Sequence, residues 1–234
     1  MTDDYWSNFK DPDPMLAFLR HKASDRKFRL FAIACWRRIL DLIPDVRSRV
    51  VIEIAEGLIG GKFNERELVL ARFNAQDVFD PNVKGVNFVQ EINGEIRDAA
   101  MAAHCLSLYD FVSLDGEPCS QSGLNVAYGT ADLAAKAASR SRTFSVERQA
   151  QSQLIRDIPG NPFRPATLDH RWQSTSVRDL ALSIYDNRSF DQMPILADAL
   201  EDSGCNNREI IQHCRGDGPH VKGCWVVELI LGKE

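Results

Sequence analysis

Apolar side chains recur every three or four residues along most of this chain, and this period constrains its fold more than any other feature. One such stripe lies between residues 24 and 43 and consists of Phe28, Phe31, Cys35, Ile39 and Leu42. A period near 3.6 residues is that of an amphipathic α-helix with one buried face. Similar stripes recur from residue 15 to residue 231, with short turns between them. The sequence therefore predicts an all-α fold, an irregular bundle of about nine to eleven helices with at most one small hairpin.

The strongest interruption of the helical pattern is a proline-rich segment. Residues 159–165 contain Pro159, Pro162 and Pro165, and proline cannot continue a helix. We therefore predict an N-terminal helical part over residues 1–158, a connector over residues 159–175 and a C-terminal helical part over residues 176–234, packed as one globular unit. Within the connector, Asn161, Phe163 and Arg164 are candidate binding residues. Residues 80–96 carry a turn dipeptide typical of hairpins, but we favour a loop followed by a helix.

Composition and charge limit the functional classes. The chain has 234 residues, of which 44% are hydrophobic and 26% charged, and its net charge is −5. These values are ordinary for a globular protein, exclude a disordered chain, and argue against a whole-chain nucleic-acid binder.

The first residues lack the basic and apolar regions of a signal peptide, and no apolar run is long enough to span a bilayer. We predict a cytoplasmic protein with no membrane association and with reduced cysteines.

Residue types that ligate metals are concentrated in the last thirty residues. The candidates are Cys205, His213, Cys214, His220 and Cys224. If residues 220–231 form a helix, His220 and Cys224 lie one turn apart on one face. Cys205 with either His213 or Cys214 would then complete a tetrahedral zinc site. The spacing matches no standard zinc module, and the alternative is that these residues only pack in the core.

A cysteine-dependent enzyme is a second alternative for the same segment. His220 and Cys224 are its weak catalytic candidates, because their helical spacing would let the imidazole activate the thiol. The adjacent pairs in the chain, such as His213 and Cys214, point about 100° apart on a helix. In such a pair, each residue would need a catalytic partner from elsewhere in the chain.

The N-terminal third carries a local excess of positive charge. Residues 20–49 contain nine Lys or Arg residues and three Asp residues. Its candidate binding face consists of Arg26, Lys27, Arg37 and Arg38. Such a face can attract an anionic partner, although no base-reading motif accompanies it. The alternative is a solvated helix surface whose arginine stems cover apolar neighbours.

Long segments at the two ends of the chain resemble a family of uncharacterised helical proteins that is abundant in planctomycete bacteria. The segments are residues 14–38, residues 156–165, residues 194–205 and residues 220–227. Residues 74–97 depart from the family, which is more alanine-rich there, and Trp36 stands where a second cysteine is common. The resemblance implies a helical cytoplasmic bacterial protein and no particular activity.

These observations lead to a ranked set of functional hypotheses. The first is a non-enzymatic intracellular helical module that binds another protein and has no cofactor. The alternatives are a zinc-binding protein that uses the C-terminal Cys/His cluster and, after it, the cysteine-dependent enzyme.

Overall fold

The computed structural model describes residues 1–43, 45–76, 122–140 and 143–233. Across these ranges we find eleven α-helices and no β-strand, which confirms the predicted all-α class. In chain order the helices are α1 (Asp3–Asn8), α2 (Pro12–Leu19), α3 (Asp25–Arg37), α4 (Val46–Ile59), α5 (Glu65–Gln76), α6 (Ser122–Ala137), α7 (Phe144–Asp157), α8 (Thr175–Asn187), α9 (Met193–Asp202), α10 (Arg208–Arg215) and α11 (Trp225–Leu231). No helix in the described ranges is long and apolar enough to cross a membrane.

The chain divides into two compact units. Unit 1 comprises residues 1–9 and 152–234, and unit 2 comprises residues 10–151. The division therefore falls inside α7, whereas the sequence predicted it at the connector of residues 159–175. That connector lies within unit 1, which also includes α1.

Unit 2 is built around the contact between α3 and α6. Small buried residues on α6, among them Ala127, Ala131 and Ala134, allow the two helices to approach closely. The two helices also meet at Gly123, whose backbone N–H donates to Asp25 Oδ1 at 2.6 Å. A Cβ at position 123 would lie only 2.1 Å from that oxygen.

Unit 1 has its own apolar core, formed mainly by α8, α9, α10 and α11. Side-chain caps begin two of these helices: Ser174 accepts from the Val177 N–H, and Asn207 accepts from the N–H groups of Glu209 and Ile210. Such caps satisfy backbone donors that have no partner within the helix. The core and its caps fix the positions of α10 and α11, which frame the site described below.

Several helix boundaries differ from the predicted ones. The apolar stripe of residues 24–43 predicts a helix that reaches residue 43, but α3 ends at Arg37 and is followed by a 3-10 turn, where Arg49 donates to the carbonyl groups of Leu40 and Ile43. The helical pattern of residues 124–158 predicts one helix, but the structure has two, α6 and α7. The spacing of Ser176 and Asp179 predicts a helix start at Ser176, but the cap of α8 is Ser174.

Other local predictions are confirmed. The spacing of Asn64 and Glu67 predicts a capping box, and in the structure each backbone N–H donates to the other side chain. A proline is tolerated in the first turn of a helix, and Pro194 lies there in α9. The loop and helix predicted for residues 80–96, and the helix that the alanine-rich pattern predicts from residue 96 to about residue 112, lie outside the described residues.

Candidate metal centre

Four side chains with metal-ligating atoms converge in unit 1. They are Asp157, His213, His220 and Cys224, and one ligand atom from each lies within 4.8 Å of all the others. His213 Nε2 is 3.2 Å from Cys224 Sγ and 3.2 Å from Asp157 Oδ1. His220 Nδ1 is 2.9 Å from the same Asp157 oxygen. The ligands of a tetrahedral zinc ion lie about 3.3–3.6 Å apart. The three separations from the Asp157 oxygen and the Cys224 sulfur to the histidine nitrogens are a few tenths of an ångström shorter, whereas the four atoms together span up to 4.8 Å and would have to draw closer around an ion.

Four different segments supply these side chains. Asp157 is the last residue of α7, and His213 lies in the last turn of α10. His220 lies in the loop between α10 and α11, and Cys224 is the N-cap residue of α11. The cluster therefore ties together parts of unit 1 that are far apart in the sequence.

Asp157 is a carboxylate in an unusual place. The C-terminal end of a helix carries partial negative charge, which disfavours an acidic side chain, and this side chain is only 3% exposed. Burial alone would raise the pKa of Asp157, but hydrogen bonds and charge interactions with His213 and His220 outweigh it and lower the pKa. The Val221 N–H also donates to Asp157 Oδ2 at 3.0 Å. The site thus holds a buried anion that needs nearby positive charge.

The contacts of His220 are compatible with Nδ1 as its metal-binding nitrogen. Its Nε2 lies 3.3 Å from the Gly216 carbonyl oxygen, and its Nδ1 faces the Asp157 carboxylate. Both partners only accept hydrogen bonds, whereas a neutral imidazole has a single N–H. If Nε2–H donates to Gly216, the lone pair of Nδ1 points at the cluster. Metal-ligating histidines commonly donate their other N–H to a backbone carbonyl in this way.

Cys224 is completely buried beside these groups. Burial raises the pKa of its thiol well above the usual range, and the negative charge of Asp157 raises it further, while backbone N–H groups at the start of α11 oppose the rise. Without a cation the sulfur is therefore a protonated thiol. A bound divalent metal removes that proton, because a coordinating thiol is deprotonated outright.

The aromatic side chain of Trp225 packs against one side of the cluster. The ring of Trp225 lies 5.0 Å from that of His213, which in turn meets His220 edge to face at 4.8 Å. Gly160, three residues after Asp157, has a φ of +80°, and a Cβ there would lie 3.1 Å from Trp225 Cγ. The connector, the tryptophan and the histidine therefore form one packed stack.

If the cluster binds zinc, the Gly160→Ala substitution should weaken that binding by about tenfold, the lower end of the effect of losing an outer-shell contact. The added methyl group would displace Trp225 and, with it, His213. Gly204→Ala is the matched control, because Gly204 has a similar φ of +86° and a methyl group added there would meet nothing within 4 Å. Both variants incur the cost of a left-handed residue. Titration with zinc should separate them, and equal zinc affinities would contradict this role of the stack.

The structure brings together three of the five metal-ligand candidates from the sequence. Cys205 and Cys214 lie outside the group and are buried in the core, where burial raises the pKa of Cys214 to about 12. Asp157, which the sequence did not predict, stands in their place. His220 and Cys224 do not share a helix face, because α11 begins only at Trp225, after Gly223 with a φ of +103°. The ring beside the Cys224 sulfur is that of His213, and not the predicted His220.

The other predicted binding residues are placed as follows. In unit 2, Arg37 is paired with the buried Glu56, and Arg38 with the fully buried Glu147. Arg26 and Lys27, near the start of α3, are partly exposed.

In unit 1, Asn161 and Arg164 both contact Asp3 of α1, and Phe163 is half-buried. The acidic residues Asp198 and Glu201 of α9 pair with Arg215 of α10. An anionic partner for the basic face of unit 2 therefore stays a prediction.

Comparison with known proteins adds no relatives to this description. No protein-family model matches the chain, and no match was found among curated proteins or among solved structures. The functional conclusion therefore depends on the geometry of the cluster.

Proposed function

We propose that unit 1 is a zinc-binding unit in which Asp157, His213, His220 and Cys224 hold one zinc ion in a structural role. The observation that carries this proposal is the convergence of His213 Nε2 on both the Asp157 carboxylate and the Cys224 sulfur, at 3.2 Å each. A nitrogen within 3.2 Å of both a carboxylate oxygen and a sulfur can share one bound cation with both of them.

The ligand chemistry favours zinc over the other common divalent ions. Zinc accepts sulfur, imidazole and carboxylate ligands in tetrahedral geometry, whereas Mg²⁺ and Ca²⁺ require mainly oxygen. Four protein ligands complete a tetrahedral shell and leave no open position for water or substrate. A closed shell is the mark of structural sites, as opposed to catalytic zinc sites.

The same geometry supports a cysteine-dependent enzyme less well. In a nucleophilic triad the imidazole uses one nitrogen for the nucleophile and the other for the orienting acid. Here the same nitrogen of His213 faces both Cys224 and Asp157. The raised pKa of the buried Cys224 thiol also works against a thiolate nucleophile.

The protein-binding hypothesis and the planctomycete resemblance remain proposals alongside the zinc site. A zinc ion that ties α7, α10 and α11 together would serve a non-enzymatic binding module as well as any other function of the unit. The basic residues Arg26 and Lys27 remain candidates for contact with an anionic partner.

The first experiment measures bound metal in the full chain. We expect one zinc per chain by elemental analysis after purification with zinc and removal of excess metal. Replacement by cobalt should give the absorption of a tetrahedral ion, including a thiolate-to-cobalt charge-transfer band. Magnesium should not compete for the site. A chain that retains no zinc, or a cobalt spectrum typical of six oxygen ligands, would overturn the proposal.

A further inference from the structure

The N-terminal segment of residues 1–9, here called the strap, is a part of unit 1 that the zinc proposal does not use. It contains α1, and the buried side chain of Trp6 is only 1% exposed. The strap is attached to the rest of unit 1 by polar contacts at both of its ends. One anchor lies on α7, which supplies Asp157, and the other lies on the connector that follows α7.

The first anchor is Arg156, the residue before Asp157. Its guanidinium donates to the Trp6 carbonyl, from Nη2 at 2.7 Å and from Nε at 3.0 Å, and also to the Phe9 carbonyl. These carbonyl groups lie at the end of α1, where a helix has free acceptors and favours positive charge. A shift of Asp157 therefore also moves the group that holds the end of the strap.

The second anchor is Asp3, in the first turn of α1. Its carboxylate accepts from Asn161 Nδ2 at 2.8 Å and from Arg164 Nε at 2.7 Å. Hydrogen bonds from Asn161 and Arg164 lower the pKa of Asp3, so the carboxylate is charged at neutral pH. Arg164 also reaches Glu209 Oε1 at 3.2 Å. Glu209 lies on α10, one turn before the ligand His213.

From this arrangement we propose that docking of the strap is coupled to zinc binding, so that the metal holds residues 1–9 in place and its loss releases them. The inference rests on the proposed zinc site and adds its regulation. Zinc would fix the end of α7 relative to α10. The strap is held by Arg156 of α7 and by Asn161 and Arg164 of the connector. It is linked to α10 only through Arg164, which also contacts Glu209. Two events that order the same elements favour each other.

Coupling of this kind is reciprocal: if zinc favours the docked strap, the docked strap favours zinc by the same factor. Asp3→Ala tests this direction, because it removes the strap's carboxylate and leaves the contact between Arg164 and Glu209 intact. Asp4→Ala is the matched control. Asp4 lies beside Asp3 in the same first turn, and both its carboxylate and its carbonyl oxygen accept from Asn8 of the same helix.

The experiment measures zinc affinity and amide hydrogen exchange in the full chain. We expect Asp3→Ala to lower zinc affinity about fivefold, a typical coupling factor, and Asp4→Ala to leave it unchanged. In the wild type, zinc should slow amide exchange of residues 5–9 by about tenfold relative to the protein stripped by a chelator.

Failure of the coupling and failure of the zinc site give different results. If the wild type binds zinc but residues 5–9 exchange at the same rate with and without it, the coupling is overturned while the zinc site stands. Equal zinc affinities of the Asp3→Ala and Asp4→Ala variants would overturn it as well. If the wild type binds no zinc, both the proposed function and the coupling fail.

Discussion

Cys224→Ser should abolish stoichiometric zinc binding, with a loss of affinity greater than about a hundredfold, because even outer-shell substitutions cost up to that much. The serine hydroxyl is nearly the same size as the thiol but remains protonated and is a poor zinc ligand. Elemental analysis and competition with a chromophoric chelator measure the loss. The substitution also removes the sulfur of the four-residue cluster, so the thiolate-to-cobalt band should disappear.

Cys214→Ser is the matched control for this substitution. Cys214 and Cys224 are both fully buried, so each variant introduces a hydroxyl group into the interior at a similar cost. Of the two, Cys224 alone belongs to the four-residue cluster. A zinc affinity that falls equally in both variants would indicate general damage to the core and would contradict the assignment of Cys224 as a ligand.

Removal of zinc should lower the unfolding temperature (Tm) of unit 1 by more than about 15 °C. A ligand that binds only the folded state stabilises it by about 4 kcal/mol when its free concentration is a thousand times the Kd. In a unit of this size each kcal/mol shifts Tm by about 4–8 °C. Differential scanning calorimetry with zinc and with excess chelator measures the difference.

The Cys224→Ser variant provides the control for this measurement, since its unfolding temperature should not respond to zinc. The chelator itself should have no effect on that variant. If the wild type melts at the same temperature with zinc and with chelator, the ion does not stabilise the fold, and a structural role for it is excluded.

The helical class could be predicted because the spacing of apolar side chains leaves a direct trace in the sequence. Phe28, Phe31 and Cys35 are buried in α3 as predicted, but so are all the other residues from 28 to 36, so this part of the helix is buried on all sides and not on one face. The capping box at Asn64 begins α5 as predicted. The ends of the helices are harder to predict, because they depend on partners that are distant in sequence or on the conformation of the local backbone. The chain after α3 is held by Arg49, which lies on the next helix and donates to the Ile43 carbonyl, and α11 begins only after the turn at Gly223.

The candidate site could be predicted only in part. Residue type alone identified His213, His220 and Cys224, but it also selected Cys205 and Cys214, whose placement in the core depends on tertiary packing. Asp157 was missed because it lies 63 residues before His220, with no motif that joins them. One signal was available: an aspartate just before the helix-ending Pro159, where a carboxylate is disfavoured unless a cation compensates it.

The most direct test of the zinc proposal is X-ray absorption at the zinc edge of the metal-loaded full chain in solution. The four ligands predict one sulfur at about 2.3 Å and three nitrogen or oxygen atoms at about 2.0–2.2 Å. The sulfur contribution should be lost in Cys224→Ser and retained in Cys214→Ser. A shell with no sulfur, or one with six nitrogen or oxygen ligands, would contradict the site formed by Asp157, His213, His220 and Cys224.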